Sequence, residues 1–218
     1  MEKKRKGISA VVLLALIQGF LASSAAVEVQ PSINPAKVGQ TVTLSLSPSA
    51  TLKSGSWAAG DSLIVNWIGD QQAVFPSHTG RALVNVLTGA LTLSSVTVAD
   101  SGVYVVQSSD PQLSASASIT VLEPVSNVTL SVNETELMEF NSSAVLRCSV
   151  SSGSSFSFLW MNGSSEVTAT DRVQLTDGGA TLTIVNVTRY DQGPFRCCVF
   201  NPVSNSSSDS VNFTISCE

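Results

Sequence analysis

Histidine occurs once in this chain, at His78, and aromatic residues make up only 6% of it. One imidazole excludes a histidine-rich metal site and leaves histidine-based catalysis without an evident partner. Charge is scarce too, at 12% of residues, and four of the eleven basic side chains (Lys3, Lys4, Arg5 and Lys6) crowd one end. A chain so poor in basic surface lacks the main driving force for nucleic-acid binding. Low charge with 43% hydrophobic residues argues against intrinsic disorder as well. Beyond residue 26 no apolar run is long enough to span a bilayer. What is abundant is Val, Thr and Ser, a composition of strands and turns. At about 150 residues per domain, the length of 218 suits one or two domains.

The basic cluster opens what reads as a secretory signal peptide over residues 1–26. It precedes the apolar run Ile8–Leu21, and Ser24-Ala25-Ala26 supplies small residues for cleavage. Removing the four basic residues and Glu2 leaves seven basic of eleven and fifteen acidic of sixteen, a net of −8. The sequence stops at Ile215-Ser216-Cys217-Glu218 without a hydrophobic tail. It reads as a secreted, extracellular product; the rival reading is a fragment or splice form of a cell-surface membrane protein.

After residue 26 one pattern is read twice. In the second copy, Trp160 follows Cys148 by twelve residues. Thr181-Leu182-Thr183-Ile184 then alternates as a half-buried strand does, and Asp191-Gln192-Gly193-Pro194-Phe195-Arg196-Cys197 closes the unit. Cys…Trp…Cys at these spacings is the signature of an immunoglobulin sandwich and predicts a Cys148–Cys197 disulfide. Phe195 stands where a tyrosine is usual, so the corner hydrogen bond is expected to be missing. The first copy keeps the skeleton without cysteines: Leu46, then Trp57, then Asp100-Ser101-Gly102-Val103-Tyr104-Val105-Val106. A crosslink closing about 60 residues would stabilise by roughly 4 kcal/mol. Two buried aliphatics contribute about 1.5–3 kcal/mol each, so Leu46 and Val106 beneath Trp57 can replace it. Arginine precedes aspartate by 19 residues in both copies (Arg81/Asp100, Arg172/Asp191), which predicts a salt bridge at the base of each unit. From Trp57 to Val106 is 49 residues, against 37 from Trp160 to Cys197; the excess matches one added strand, Leu63–Ile68. The expected fold is all-β: two tandem immunoglobulin-like β-sandwiches, V-like over 27–123 and C2/I-like over 124–218.

The chain resembles the carcinoembryonic-antigen-related cell adhesion molecule family. Four features carry this: the apolar pair in place of the V-like disulfide; Gly69-Asp70-Gln71-Gln72-Ala73 followed by Thr79-Gly80-Arg81; Asp100–Gln107; and Asn201-Pro202-Val203-Ser204. The resemblance implies binding to family members or microbial adhesins through the GFCC′ face of the V-like domain, with Gln107 at a contact position. It departs at Ala58, where an aromatic is usual.

Strand parity puts Tyr104 and Val106 inward and Val105, Gln107 and Ser109 outward. The added strand is apolar in both phases, and the outward phase is expected to be Val65 and Trp67, an interaction patch. His78 is expected in an exposed loop. Ser114, Ser116, Ser118 and Thr120 alternate with Ala115, Ala117, Ile119 and Val121, one wet face and one core face rather than a row of nucleophiles. Cys198, next to Cys197, must point away from the core. In an F–G hairpin it should lie opposite residues around Ser208–Ser210, far from Cys217, so both thiols are expected free or intermolecular. Seven Asn-x-Ser/Thr acceptors (Asn127, Asn133, Asn141, Asn162, Asn186, Asn205 and Asn212) all fall in the second unit. The reading is non-enzymatic recognition of a protein partner, homophilic or heterophilic, with no cofactor, metal, nucleic acid or small-molecule substrate. A soluble decoy for microbial adhesins and a glycosylated spacer are the alternatives.

Overall fold

The computed structural model describes residues 26–217, so the proposed signal peptide lies, apart from Ala26, outside them. Runs that alternate Val, Leu and Ile with Ser and Thr form strands whose two faces differ in burial, as in β3, where Val42, Leu44 and Leu46 are the buried set. The first unit has β1 (Glu28–Pro31), β2 (Ala36–Lys37), β3 (Val42–Ser47), β4 (Ser54–Ala59), β5 (Ser62–Ile68), β6 (Gln71–Val74), β7 (Ala82–Val84), β8 (Leu91–Leu93), β9 (Gly102–Ser109), β10 (Gln112–Ile119) and β11 (Val121–Leu122). The second has β12 (Ser126–Val132), β13 (Glu136–Met138), β14 (Ala144–Ser152), β15 (Ser157–Asn162), β16 (Ser165–Glu166), β17 (Val173–Thr176), β18 (Thr181–Ile184), β19 (Phe195–Asn201), β20 (Ser204–Ser207) and β21 (Thr214–Ser216).

Sheet β1-β3-β8-β7 faces sheet β10-β9-β4-β5-β6 in the first unit. In the second, β12-β14-β18-β17 faces β16-β15-β19-β20. Two parallel pairs, β2–β11 and β13–β21, complete the set. One buried cluster runs from Val29 to Val121, the other from Val125 to Phe213. The first unit has one strand more than the second, but the strand without a counterpart is β6 and not the expected β5, which the two-residue β16 matches by pairing with β15 as β5 pairs with β4. Gln71–Val74, expected as connecting chain, pairs with β5 from Val65↔Val74 to Ile68↔Gln71 and extends the sheet.

Leu46, Trp57 and Val106 share the first buried cluster, without a disulfide. Cys148 and Cys197 are bonded in the second, beside the buried Trp160. The Arg81 guanidinium donates to both Asp100 carboxylate oxygens at 2.8 and 2.9 Å. Arg172 and Asp191 pair more loosely at 3.1 and 3.5 Å. The Tyr104 hydroxyl donates to the Asp100 carbonyl at 2.8 Å. Phe195 has no such donor and packs instead on Phe213, ring centroids 5.9 Å apart.

The joint between the units is tightly held. Val38 N–H donates to the Leu122 carbonyl at 3.1 Å, within the first unit. The very next carbonyl, of Glu123, accepts at 2.8 Å from Asn201 Nδ2, a side chain of the second. Asn201 Nδ2 also donates to the Ser154 carbonyl, and Val125 N–H donates to Ser204 Oγ at 2.7 Å. No helix of the described residues is long and apolar enough to cross a membrane.

Candidate protein-recognition face

Strand β9 lies between β10 and β4, with Gln107 opposite Ser114 on one flank and Ser56 on the other. Tyr104, Val106 and Ser108 point inward and are buried; Gln107 and Ser109 are exposed and Val105 is half-buried. The outward set expected on this strand is therefore present.

Strand β5 departs from expectation. Val65 and Trp67 are core residues, Trp67 being 1% exposed. The cause is the register: Val65 lies directly opposite the core residue Trp57 and shares its inward face, with Trp67 two residues on, while Ala58 pairs with Leu63 so that Ile64 is an extra, bulged residue on β5. Ile64 and Val65 are consequently both buried, and the face parity changes along the strand. Gly55, directly opposite Trp67, makes room for the indole. A Cβ at position 55 would come within 2.6 Å of two Trp67 ring carbons. The outward residues at this end are Asn66 and Ile68, and Ile68 is 78% exposed.

Beyond β5, β6 places Ala73 opposite Asn66 and Gln71 opposite Ile68. Small residues at Ser54, Gly55 and Ser56 in the central strand, between larger ones on both flanks, form the floor of a depression of about 770 Å³. Asn66, Ile68, Gln71 and Ala73 form one wall, and Gln107, Ser109, Gln112 and Ser114 the other. No lining residue carries a charge; Lys53 and Asp110 pair at 3.1 Å, both well exposed. Amides, hydroxyls and one protruding aliphatic side chain suit the core of a protein contact, where charge is depleted.

Ser54–Ser56, Ile68 and Gln112 are thus members of the face that the sequence reading did not single out. The available signal was a small-residue run in the strand carrying the core tryptophan, which must leave a trough on the opposite side.

His78 also departs from expectation. It ends a short 3-10 turn, Pro76–His78, that carries its ring into the base of the sandwich, where it is buried. Ser77 Oγ lies 2.8 Å from Nδ1, and Asp100 Oδ1 lies 3.7 Å from Nε2. Burial, reinforced by the Arg81 charge, lowers the His78 pKa despite the opposing pull of Asp100. The neighbouring ion is therefore the arginine–aspartate pair, with a neutral imidazole beside it. Burial pushes the Asp100 carboxyl up, but Arg81 together with the Thr97 N–H and hydroxyl outweigh it and hold it at about 2. Thr188 meets Asp191 in the same way, so Thr-x-x-Asp is a second repeated signal that went unread.

Cys198 and Cys217 are free, and Cys198 sits opposite Ser207, one residue from the expected position. Of the seven acceptor asparagines, Asn162 is half-buried and the other six are exposed.

Residues 134–210 match the immunoglobulin domain family. The cell adhesion molecule CEACAM16 of Rattus norvegicus is 28% identical over 208 residues, 90% of this chain and 48% of the relative. The hepatic and glial cell adhesion molecule of Bos taurus is 30% identical over 131 residues, covering 58% of this chain and 31% of that protein. The chain thus spans about half the length, or less, of these curated relatives. The crystal structure of murine CEACAM1b superposes with a TM-score of 0.78 at 26% identity, over 87% of this chain and 100% of that one. With both sandwiches and the sequence likeness in agreement, the chain carries an immunoglobulin domain over residues 134–210 and resembles the carcinoembryonic-antigen-related cell adhesion molecules.

Proposed function

We propose that the chain is an exported recognition protein. In this reading residues 1–26 direct export, 27–123 form the binding unit, and 124–218 form the glycosylated unit that carries it. The binding surface is the outer face of sheet β10-β9-β4-β5-β6, with Gln107, Ser109 and the half-buried Val105 on one side and Asn66 and Ile68 on the other. The observation that carries this is the uncharged depression itself, flanked by Ile68 at 78% exposure. Aliphatic area beside amides is the composition from which interface cores are built. Support also comes from the sequons, since all seven lie in the second unit and leave this face free of bulky sugars. The similarity to proteins named as adhesion molecules supports recognition rather than catalysis.

The test uses the full chain. Self-association is measured by sedimentation, and binding to the extracellular portions of adhesion-molecule relatives by surface capture. Gln107→Arg and Ile68→Asp are each expected to abolish the binding found while leaving thermal melting nearly unchanged. Binding that survives both changes yet disappears when a residue of the second unit is altered would overturn this face.

A further inference from the structure

The outer face of sheet β16-β15-β19-β20 carries a short apolar row. Strand β19 turns Phe195, Cys197 and Val199 into the core, which leaves Cys198 and Phe200 facing out. Phe200 is 45% exposed. Leu159 of β15 lies opposite Cys198 and continues the row. On the other flank, β20 places Asn205 opposite Phe200 and Ser207 opposite Cys198. Asn205-Ser206-Ser207 is itself an acceptor tripeptide. Directly opposed residues in an antiparallel pair have Cβ atoms about 5 Å apart on one face. Among the seven acceptors, Asn205 is the one whose described strand partner is an exposed aromatic residue.

We infer that a glycan on Asn205 packs its first sugar ring over Phe200 and Cys198 and so becomes part of the second sandwich. A pyranose has an apolar face of C–H groups, and an aromatic ring presents a negative face that attracts them. The acceptor nitrogen starts one strand spacing from the ring, on the same side of the sheet, within reach of a first sugar lying flat. The occupant is therefore a tethered carbohydrate rather than a diffusing partner. Attachment joins Asn205 Nδ2 to C1 of the sugar. The bond between C1 and the pyrophosphate of a lipid-linked oligosaccharide breaks, the pyrophosphate leaves, and Nδ2 gives up one proton. The inference rests on the reading that the chain is exported but not on its binding face, and its test involves no binding partner, so failure of the face leaves the inference standing and failure of the inference leaves the face standing.

The experiment uses the full chain secreted from eukaryotic cells in a Cys217→Ser background, which leaves Cys198 as the free thiol. Ser207→Ala removes the acceptor signal while retaining Asn205. Glycopeptide mass spectrometry is expected to find Asn205 occupied. Ser207→Ala should then lower the melting temperature by a few degrees and speed maleimide labelling of Cys198 severalfold. In a Phe200→Ala background the same change should leave melting unaffected; Phe200→Leu replaces it if the alanine variant fails to fold. An unoccupied Asn205, or the same loss of melting temperature with and without the aromatic ring, overturns the inference. So does protection of Cys198 that persists in Ser207→Ala and grows with protein concentration, which would assign the row to a second copy of the chain.

Discussion

Two tryptophans of the first unit are equally buried but not equally satisfied. Trp57 Nε1 donates to the Gly89 carbonyl at 2.8 Å, whereas Trp67 Nε1 has no hydrogen-bond partner among the described residues. Replacing Trp57 with Phe strands a buried carbonyl, which costs about 1–3 kcal/mol beyond the lost area. Replacing Trp67 with Phe removes an unpaired donor and so offsets part of its lost area. Urea unfolding is expected to rank Trp57→Phe as the more damaging by about 1–3 kcal/mol; equal losses would contradict this. Leu46→Ala should cost about 2–5 kcal/mol in the same assay, and an unchanged melting temperature would remove Leu46 from the core. Leu46, Trp57 and Val106 were legible in the sequence because the immunoglobulin spacing fixes which residues face inward. Trp67 was not, because β5 is apolar in both phases and only its register, Val65 against the inward Trp57, decides which phase is buried. The counter-signal was Gly55, a residue without a side chain at the position facing the indole.

At the level of elements, the base of the first sandwich gathers Arg81 and Asp100 from chain segments 19 residues apart, with His78 beside them. The arginine–aspartate pair could be anticipated because two ionic residues at a repeated spacing have one economical explanation. His78 could not, since nothing in Pro76-Ser77-His78 announces that a single turn carries the ring inward. The two titrating groups give the unit a pH dependence of definite sign. The Asp100 pKa is held at about 2, below the ordinary 3.8, so its stabilisation is present above 3.8 and disappears as pH falls through 2. The His78 pKa is lowered from 6.5, so its contribution is also present above that value and is lost as acid protonates the ring. Denaturant unfolding between pH 8 and pH 2 should therefore show stability falling in two stages; these limits are roughly the span of the two transitions. His78→Gln is expected to flatten the upper stage, and Asp100→Asn to flatten the lower one while reducing stability at neutral pH. A profile unaltered by His78→Gln would contradict the assignment.

For the whole molecule, the joint departs from the usual case, in which linked domains move freely. Successive carbonyls, Leu122 and Glu123, are held by different units, with no unbound residue between them. Asn201→Ala should release the Glu123 carbonyl, broadening the distribution of shapes seen by small-angle scattering while leaving melting of the first unit unchanged. A scattering profile identical to that of the unaltered chain would show that the joint is held by something else. Asn201-Pro202-Val203-Ser204 was legible as a motif, but its task was not, because the partner carbonyl lies 78 residues away in the chain. The parallel pairs bear on how such a chain carries tension. In each unit a strand near the entry, β2 or β13, is bonded alongside a strand near the exit, β11 or β21. A pull between entry and exit drags the two strands past one another lengthwise, loading their hydrogen bonds together rather than opening them in turn. The second unit opposes this sliding over three register pairs and the first over two, so stretching force is expected to breach the first unit before the second.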